Sequence, residues 1–155
     1  MDQSTPTQQY IVFRLGKEEY AFDIVSVKEI KDLEEIAKVH RTQSYIEGVM
    51  NLRGKLVTII DLRKRLGLET KSPGEATKIV VIEAPDAPVG FLVDEVSEVL
   101  RLSASDVEAP PSYVADSLES EYVRGIAKLG DRLITIIDPV KILELSPNET
   151  PGGGR

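Results

Sequence analysis

Side chains that could support catalysis or bind a metal are few in this chain. His40 is the single histidine and cysteine is absent, which excludes a disulfide, a thiolate site and a zinc site built on several histidines. Acidic residues cluster at 32–35 and 117–122, but neither cluster has the spaced ligands and central glycine of a calcium loop. Nucleophile-elbow, P-loop and dinucleotide-binding glycine motifs are missing. We therefore expect no cofactor, no metal site and no enzymatic activity.

Charge and composition indicate a protein that recognises other proteins. Of the 155 residues, 41% are apolar and 29% are charged, and a net charge of −7 does not suit the phosphates of a nucleic acid. Aromatic residues make up 5% of the chain and tryptophan is absent, so platforms for base stacking are also lacking. The apolar runs are far shorter than the roughly 20 residues that cross a bilayer. We expect no nucleic-acid partner, no direct membrane insertion and a cytoplasmic location.

The strongest pattern in the sequence is an internal duplication. Residues 45–68 and 122–145 align without a gap, and 11 of the 24 positions are identical, including the motif Thr-Ile-Ile-Asp. Residues 21–30 match 90–99 more loosely, at an offset of 69 positions instead of 77. The second copy therefore carries about eight additional residues, and the paired prolines and small polar residues of 103–120 predict a loop there.

Each copy is predicted to contain two β-hairpins. Enrichment in valine, isoleucine and threonine between turn residues indicates strands. The strands of the first hairpins are predicted at 10–15 and 19–24 in one copy and at 78–83 and 89–94 in the other. The second hairpins are predicted to turn at Arg53-Gly54 and at Gly130-Asp131, because glycine readily adopts the positive φ of a two-residue turn.

A short helix is predicted after each Thr-Ile-Ile-Asp motif. Asp61 and Asp138 are the expected N-caps, since their carboxylates can accept hydrogen bonds from the free amides of the first turn. Pro139 suits the first position of the second helix. Gly67 is expected to end the first helix, and Ser146-Pro147 the second.

Small closed barrels are the expected architecture, because a few short strands would otherwise leave sheet edges exposed. The fold class is therefore all-β, with about five strands and one short helix in each copy. Neither half would bury a large core alone at ~60 to 70 residues, so the barrels should share an interface. We expect a disordered lead-in at 1–9, one domain at 10–145 with two interlocking barrels at about 10–70 and 78–145, and a flexible tail at 146–155.

The duplication provides an internal control for functional residues, because a residue that both copies keep can be explained by the shared fold. Asn51 and Arg53 are not kept, since Lys128 and Gly130 stand at the equivalent positions. Arg53 is then either an ordinary solvated residue at a hairpin tip or a planar, multi-donor anchor for a partner protein.

Two other positions are kept in both copies and have a structural explanation. Gly48 recurs as Gly125, which indicates a β-bulge or a close approach of two strands. Glu29 recurs as Glu98, which favours a structural role shared by the two copies.

Three motifs in order resemble the CheW coupling proteins of bacterial and archaeal chemotaxis. They are EEYAFDIVSVKEI, GVMNLRGKLVTIIDLRKRLGL and VGFLVDEVSEVL, and the likeness extends from about Tyr10 to Leu145. The resemblance implies two five-stranded SH3-like barrels. It also implies a non-enzymatic adaptor that couples chemoreceptors to the histidine kinase CheA. The alternative is a CheW-like adaptor of a twitching or developmental pathway.

The resemblance further implies partners and binding residues. The kinase would be bound through its regulatory domain, and the cytoplasmic tip of the receptor, an antiparallel helical hairpin, would lie in the groove between the barrels. The implied protein-binding residues are Val27, Glu29, Gly48 and Arg53, and Asn51 belongs to the same surface. The protein would be cytoplasmic and recruited to membrane-associated receptor arrays.

Overall fold

The computed structural model describes residues 7–39, 43–69, 72–110 and 121–144. Within these residues the chain is mainly β, as predicted. The strands are β1 (Thr7–Leu15), β2 (Glu18–Asp23), β3 (Val27–Asp32), β4 (Ile46–Leu52), β5 (Lys55–Asp61), β6 (Lys78–Ile82), β7 (Val89–Val93), β8 (Glu95–Ser103), β9 (Val107–Glu108), β10 (Val123–Leu129) and β11 (Arg132–Ile137). The helices are α1 (Leu62–Arg65), α2 (Pro139–Leu143) and two 3₁₀ helices, Ile24–Ser26 and Ala104–Asp106.

These strands form two sheets. The first sheet has the order β8-β1-β2-β11-β10-β9, and the second has the order β3-β6-β7-β5-β4. Neighbouring strands are antiparallel except for β11 with β2 and β5 with β7, which are parallel. A bridge between Ala37 and Val49 lies beside β4, in the place that β9 takes beside β10. The first sheet therefore has six described strands, one more than predicted, because part of the expected loop at 103–120 forms β9.

Each sheet combines strands from both copies of the duplication. The hairpin β1–β2 belongs to the first copy, yet it pairs with β8 and β11 of the second. The hairpin β6–β7 belongs to the second copy, yet it pairs with β3 and β5 of the first. A division into barrels at about 10–70 and 78–145 is therefore wrong for the sheets, because each copy contributes its first hairpin to the sheet of the other.

Buried apolar side chains form three clusters, one in the core of each sheet and one in a layer between the two sheets. Successive side chains of a strand point to opposite faces. On β1, Tyr10 and Val12 therefore lie in the core of the first sheet, whereas Phe13 and Leu15 lie in a layer shared by both sheets. Side chains of β6 divide in the same way between the core of the second sheet and the shared layer. In the shared layer, side chains from both sheets pack against one another.

The local turn and cap predictions are confirmed. Arg53 and Gly54 have φ of 52° and 87°, and Gly130 has φ of 60°, so both second hairpins turn where glycine was expected to allow it. The carboxylate of Asp61 accepts from the amides of Arg63 and Lys64 at the start of α1. Asp138 caps α2 in the same manner, with proline in the first turn.

Several terminal predictions differ from the structure or lie outside it. Residues 7–9, expected in a disordered lead-in, extend β1 because β8 is long enough to pair with them. Among the other predictions, His40, the end of α2 at Ser146-Pro147 and the tail at 146–155 lie outside the described residues.

Candidate functional site

The tip of the β4–β5 hairpin presents Arg53 from a tight turn. Arg53 is the one residue other than glycine that has positive φ in the described parts of the chain. Asn51 does not extend into solvent freely, because its Oδ1 accepts a hydrogen bond of 2.8 Å from the amide of Gly54. This hydrogen bond from Gly54 to Asn51 stabilises the turn. The conformation of the turn then sets the direction in which the Arg53 side chain points.

Glu29 and Arg53 form a bidentate ion pair on the surface. The guanidinium donates from Nη1 to Oε1 of Glu29 at 3.2 Å and from Nη2 to Oε2. These hydrogen bonds, together with the attraction of opposite charges, lower the pKa of Glu29 and raise the pKa of Arg53. The Arg53 side chain is 64% exposed and that of Glu29 is 22% exposed. The arginine is thus oriented while most of its surface still faces solvent.

Val27 lies two residues before Glu29, where the 3₁₀ helix Ile24–Ser26 ends and β3 begins. Its side chain is half-buried and packs against the layer shared by the two sheets. The register between β3 and β6 shifts between Val27 and Glu29, so the strand is bulged at this point. A bulge redirects the side chains on either side of it. The apolar Val27 and the charged Glu29 therefore lie close together on one segment.

Gly48 acts through the backbone. It has φ of 147°, and a Cβ atom at this position would lie 2.1 Å from the carbonyl oxygen of Ala37. The register of β4 against β5 also shifts at Gly48. Gly125 is placed likewise, because a Cβ there would lie 2.6 Å from Cγ1 of Val107. The predicted bulge and close approach are therefore present in both copies.

The structure explains why Glu29 recurs as Glu98. Glu98 accepts a hydrogen bond of 2.6 Å from Nη2 of Arg132, and Arg132 also binds both carboxylate oxygens of Glu19. Both copies thus pair the glutamate with an arginine of the second hairpin, but the arginine comes from different positions of that hairpin. In the sequence, the only sign that Arg132 could pair with Glu98 was that both copies have a basic residue at its aligned position, Lys55 in the first copy and Arg132 in the second.

The basic cluster at 63–65 is used inside the fold. Arg63 binds Asp94 through Nε and Nη2, and Lys64 donates to Glu47 at 2.9 Å. Arg65 is 2% exposed, and its guanidinium carbon lies 4.4 Å from the centre of the Tyr45 ring. The three cations point to three different partners, so they do not form the continuous basic surface that nucleic acid requires.

Exposed apolar residues are a feature that the sequence analysis missed. Ile30 and Val99 are equivalent residues on β3 and β8, and both are exposed. Leu56 and Leu133 are equivalent residues after the second hairpin turns, with 71% and 61% exposure. Their spacing matched ordinary half-buried strands, so no sequence signal separated them from core residues.

Neither a metal cluster nor a membrane-spanning helix occurs in the described parts of the chain. No group of three or more histidine, aspartate or glutamate side chains there is arranged to hold an ion. Across the same residues, every helix is too short or too polar to cross a bilayer.

A family model and the sequences of known proteins match this chain and agree on one family. A family model described as a CheW-like domain matches residues 9–146. The chain is 38% identical over 139 residues to the chemotaxis protein CheW of Klebsiella aerogenes, an alignment that covers 90% of this chain and 83% of that protein. It is 34% identical over 143 residues to the chemotaxis protein CheW of Bacillus subtilis, which covers 92% and 91% of the two chains.

A solved structure also matches over almost the full length. The crystal structure of the scaffolding protein TtCheW from Thermoanaerobacter tengcongensis superimposes with a TM-score of 0.82 at 33% sequence identity. The match covers 94% of this chain and 98% of that chain. Since the family model spans residues 9–146 and relatives above 30% identity align over most of both chains, this chain belongs to the CheW family.

Proposed function

We propose that this protein is a non-enzymatic adaptor that couples chemoreceptors to the histidine kinase CheA, binding the regulatory domain of the kinase and the cytoplasmic tip of the receptor. Its membership of the CheW family supports the adaptor role, and the curated relatives are chemotaxis proteins. Their names favour chemotaxis over a twitching or developmental pathway. The expectation that the protein is not an enzyme agrees with this family.

The Glu29–Arg53 pair is the observation that carries the proposed binding site. A guanidinium has five N–H donors in a planar fork, and two of its nitrogen atoms reach Glu29. The 64% exposure of the Arg53 side chain leaves donors accessible to a carbonyl or carboxylate of a partner. Because Glu29 and the hairpin turn already orient Arg53, less rotamer entropy is lost when the partner binds.

The remaining site residues support this arginine in different ways. Val27 provides a half-buried apolar surface beside the pair. Asn51 holds the turn through the amide of Gly54, and Gly48 brings β4 against Ala37. In this proposal Arg53, Glu29 and Val27 contact the receptor, whereas Asn51 and Gly48 keep the hairpin in place.

Recruitment to the membrane follows from the partners in this proposal. A receptor hairpin would lie in the groove between the two sheets by helix-in-groove recognition, with apolar anchors and a few polar groups that fix its register. Simultaneous binding of kinase and receptor on different faces would hold the cytoplasmic protein in a receptor array, since linked binding events raise the effective concentration.

A calorimetric titration tests both partners in sequence. The protein is titrated with the regulatory domain of CheA and then, in the same cell, with a receptor-tip fragment. We expect both to bind, and we expect Arg53→Glu to weaken the receptor step because it places two carboxylates together and removes the donors.

Lys128→Glu is the matched control, because Lys128 is also exposed and also paired with a glutamate, Glu108. It reverses the same charge on the other hairpin and should leave receptor binding unchanged. Equal receptor affinity of Arg53→Glu and the original protein would refute the assignment of Arg53. Absence of kinase binding would refute the coupling function.

A further inference from the structure

The described chain passes between the two sheets at two equivalent places. The first crossover is the 3₁₀ helix Ile24–Ser26, which joins β2 of the first sheet to β3 of the second. The second crossover is Asp94, which joins β7 of the second sheet to β8 of the first. The offset of 69 that aligns 21–30 with 90–99 places Val25 opposite Asp94. The duplication therefore allows a direct comparison of the two residues.

Asp94 is held firmly inside the fold. Its carboxylate accepts from Nε and Nη2 of Arg63, and its Oδ2 also accepts from the amide of Gly16 at 2.6 Å. Its own amide donates to the carbonyl oxygen of Arg14 at 3.1 Å. Arg63 lies on α1 and Gly16 lies in the β1–β2 turn, so the Asp94 side chain connects elements of both sheets. At this crossover the side chain has a clear structural function.

Val25 has no comparable function in the fold. The residue is 82% exposed, more than any other large apolar residue in the described ranges. Only its backbone contributes locally, since the amide donates to Oδ1 of Asp23 at 3.1 Å. The other copy has an aspartate at the same place, so the fold does not require an apolar side chain at this crossover. The exposed valine at this crossover is therefore not explained by the fold.

The surroundings of Val25 connect it to the proposed receptor site. Val27 and Glu29 follow it by two and four residues along the same segment. Asp23 and Ser26, on either side of Val25, line a cavity of about 380 Å³. The rest of its lining is mixed, with the polar Gln8, Arg124 and Asp138 beside the apolar Tyr10, Ile136, Ile137 and Pro139. Val25 is thus exposed beside a cavity that offers both polar and apolar groups to a partner.

We propose that Val25 is a further receptor-contact residue, covered by an apolar side chain of the receptor-tip helix while polar side chains of that helix reach the adjoining cavity. This inference rests on the proposed function and adds a residue and a direction to its receptor site. The contact surface then runs from the first crossover along β3 to the Glu29–Arg53 pair. The equivalent surface at the second crossover is unavailable for this purpose, because Asp94 is engaged by Arg63 and Gly16.

Calorimetry with the full chain and a receptor-tip fragment tests this contact. We expect Val25→Ser to weaken receptor binding about 10-fold, equivalent to about 1.4 kcal/mol, through loss of apolar contact. The midpoint of urea unfolding should not change, because Val25 is 82% exposed. Binding of the kinase regulatory domain should not change, because the proposed contact is with the receptor alone. Leu133→Ser, which alters a residue of 61% exposure in the other copy, is the control and should bind the receptor normally.

The outcomes separate this inference from the proposed function. If the unaltered protein binds no receptor fragment, both fail. If the unaltered protein binds and Val25→Ser binds equally well, the Val25 contact is wrong and the adaptor function stands. If Val25→Ser weakens kinase binding instead, the residue belongs to the kinase surface and the inference is overturned.

Discussion

The Glu29–Arg53 and Glu98–Arg132 pairs occupy equivalent glutamate positions but differ in what they leave for a partner. Arg53 lies in the hairpin turn with φ of 52°, binds one carboxylate and has a side chain that is 64% exposed. Arg132 begins the strand after the turn, binds two carboxylates and has a side chain that is 39% exposed. The first arginine keeps accessible donors, whereas the second is neutralised by its neighbours.

This difference shows how a duplicated fold can keep an interaction and still diverge in function. Both glutamates retain a guanidinium partner, so the ion pair belongs to the shared fold. The position of the arginine in the hairpin was free to change because either position reaches the glutamate. In the first copy the arginine stands in the turn, where the other copy has Gly130, and it places a multi-donor group at the tip of the hairpin.

The largest expected effect concerns the backbone that supports the two hairpins. Gly48→Ala should lower the free energy of unfolding by roughly 3–5 kcal/mol, since its φ of 147° and the carbonyl oxygen of Ala37 both oppose a Cβ. Gly125→Ala should cost roughly 1–3 kcal/mol. Its φ is not in the positive range, and a Cβ would lie 2.6 Å from the movable side chain of Val107 and 2.9 Å from the carbonyl oxygen of Glu108, farther than the 2.1 Å at Gly48. Urea unfolding of the two variants measures the difference, and equal losses would show that the second copy is no more tolerant than the first.

A smaller effect is expected from removing the two arginines. Arg132→Gln leaves Glu19 and Glu98 without their shared cation, and we expect a loss of about 1 kcal/mol after allowing for solvent screening of this partly exposed group. Arg53→Gln should change stability less, since it releases one carboxylate at a more exposed place.

The pH dependence of unfolding distinguishes these variants. Hydrogen bonds from Arg132 are the main reason that the pKa of Glu19 is below its ordinary value of 4.5, despite some burial. The stabilisation is therefore present above pH 4.5 and is lost as the pH falls through the lowered pKa. The difference between Arg132→Gln and the original protein should shrink on acidification, and a difference that stays constant would contradict the role of Glu19.

Local features of both the fold and the site were predictable from the sequence, but their long-range partners were not. The turn at Arg53-Gly54 and the caps at Asp61 and Asp138 depend on neighbouring residues, so single motifs identify them. The exchange of first hairpins could not be read from the sequence, because two similar copies offer each hairpin two similar sets of partner strands.

The same limit applies to the candidate site. Comparison of aligned positions suggested that the second copy lacks the arginine of the first, because Gly130 replaces Arg53. In space the guanidinium is present, since Arg132 reaches Glu98 from two positions further along. Val25 was assigned to no site, because its exposure depends on the crossover between sheets, which the sequence did not reveal.

The smallest expected effect separates the two helix caps. Burial raises the pKa of Asp61 above its ordinary value of 3.8, with Glu47 adding to the rise and the amides of α1 opposing it. For Asp138, burial also acts upward, but Arg124 and the amides of α2 outweigh it and lower the pKa below 3.8. The charged form is thus disfavoured by the fold at Asp61 and favoured at Asp138.

Substitution by asparagine, which caps helices nearly as well as aspartate, isolates the contribution of charge. Asp61→Asn should leave the urea midpoint at pH 7 unchanged or slightly higher, because it removes a buried charge whose pKa is raised. Asp138→Asn should lower the free energy of unfolding at pH 7 by less than about 1 kcal/mol, because the Arg124 pair is partly exposed. As the pH falls below 3.8 and through the lowered pKa of Asp138, the original protein loses this charge too, so the Asp138→Asn deficit should disappear. A deficit of equal size for both variants at pH 7 would show that the two copies use their caps identically, and that the divergence is confined to the hairpin tips and the crossovers.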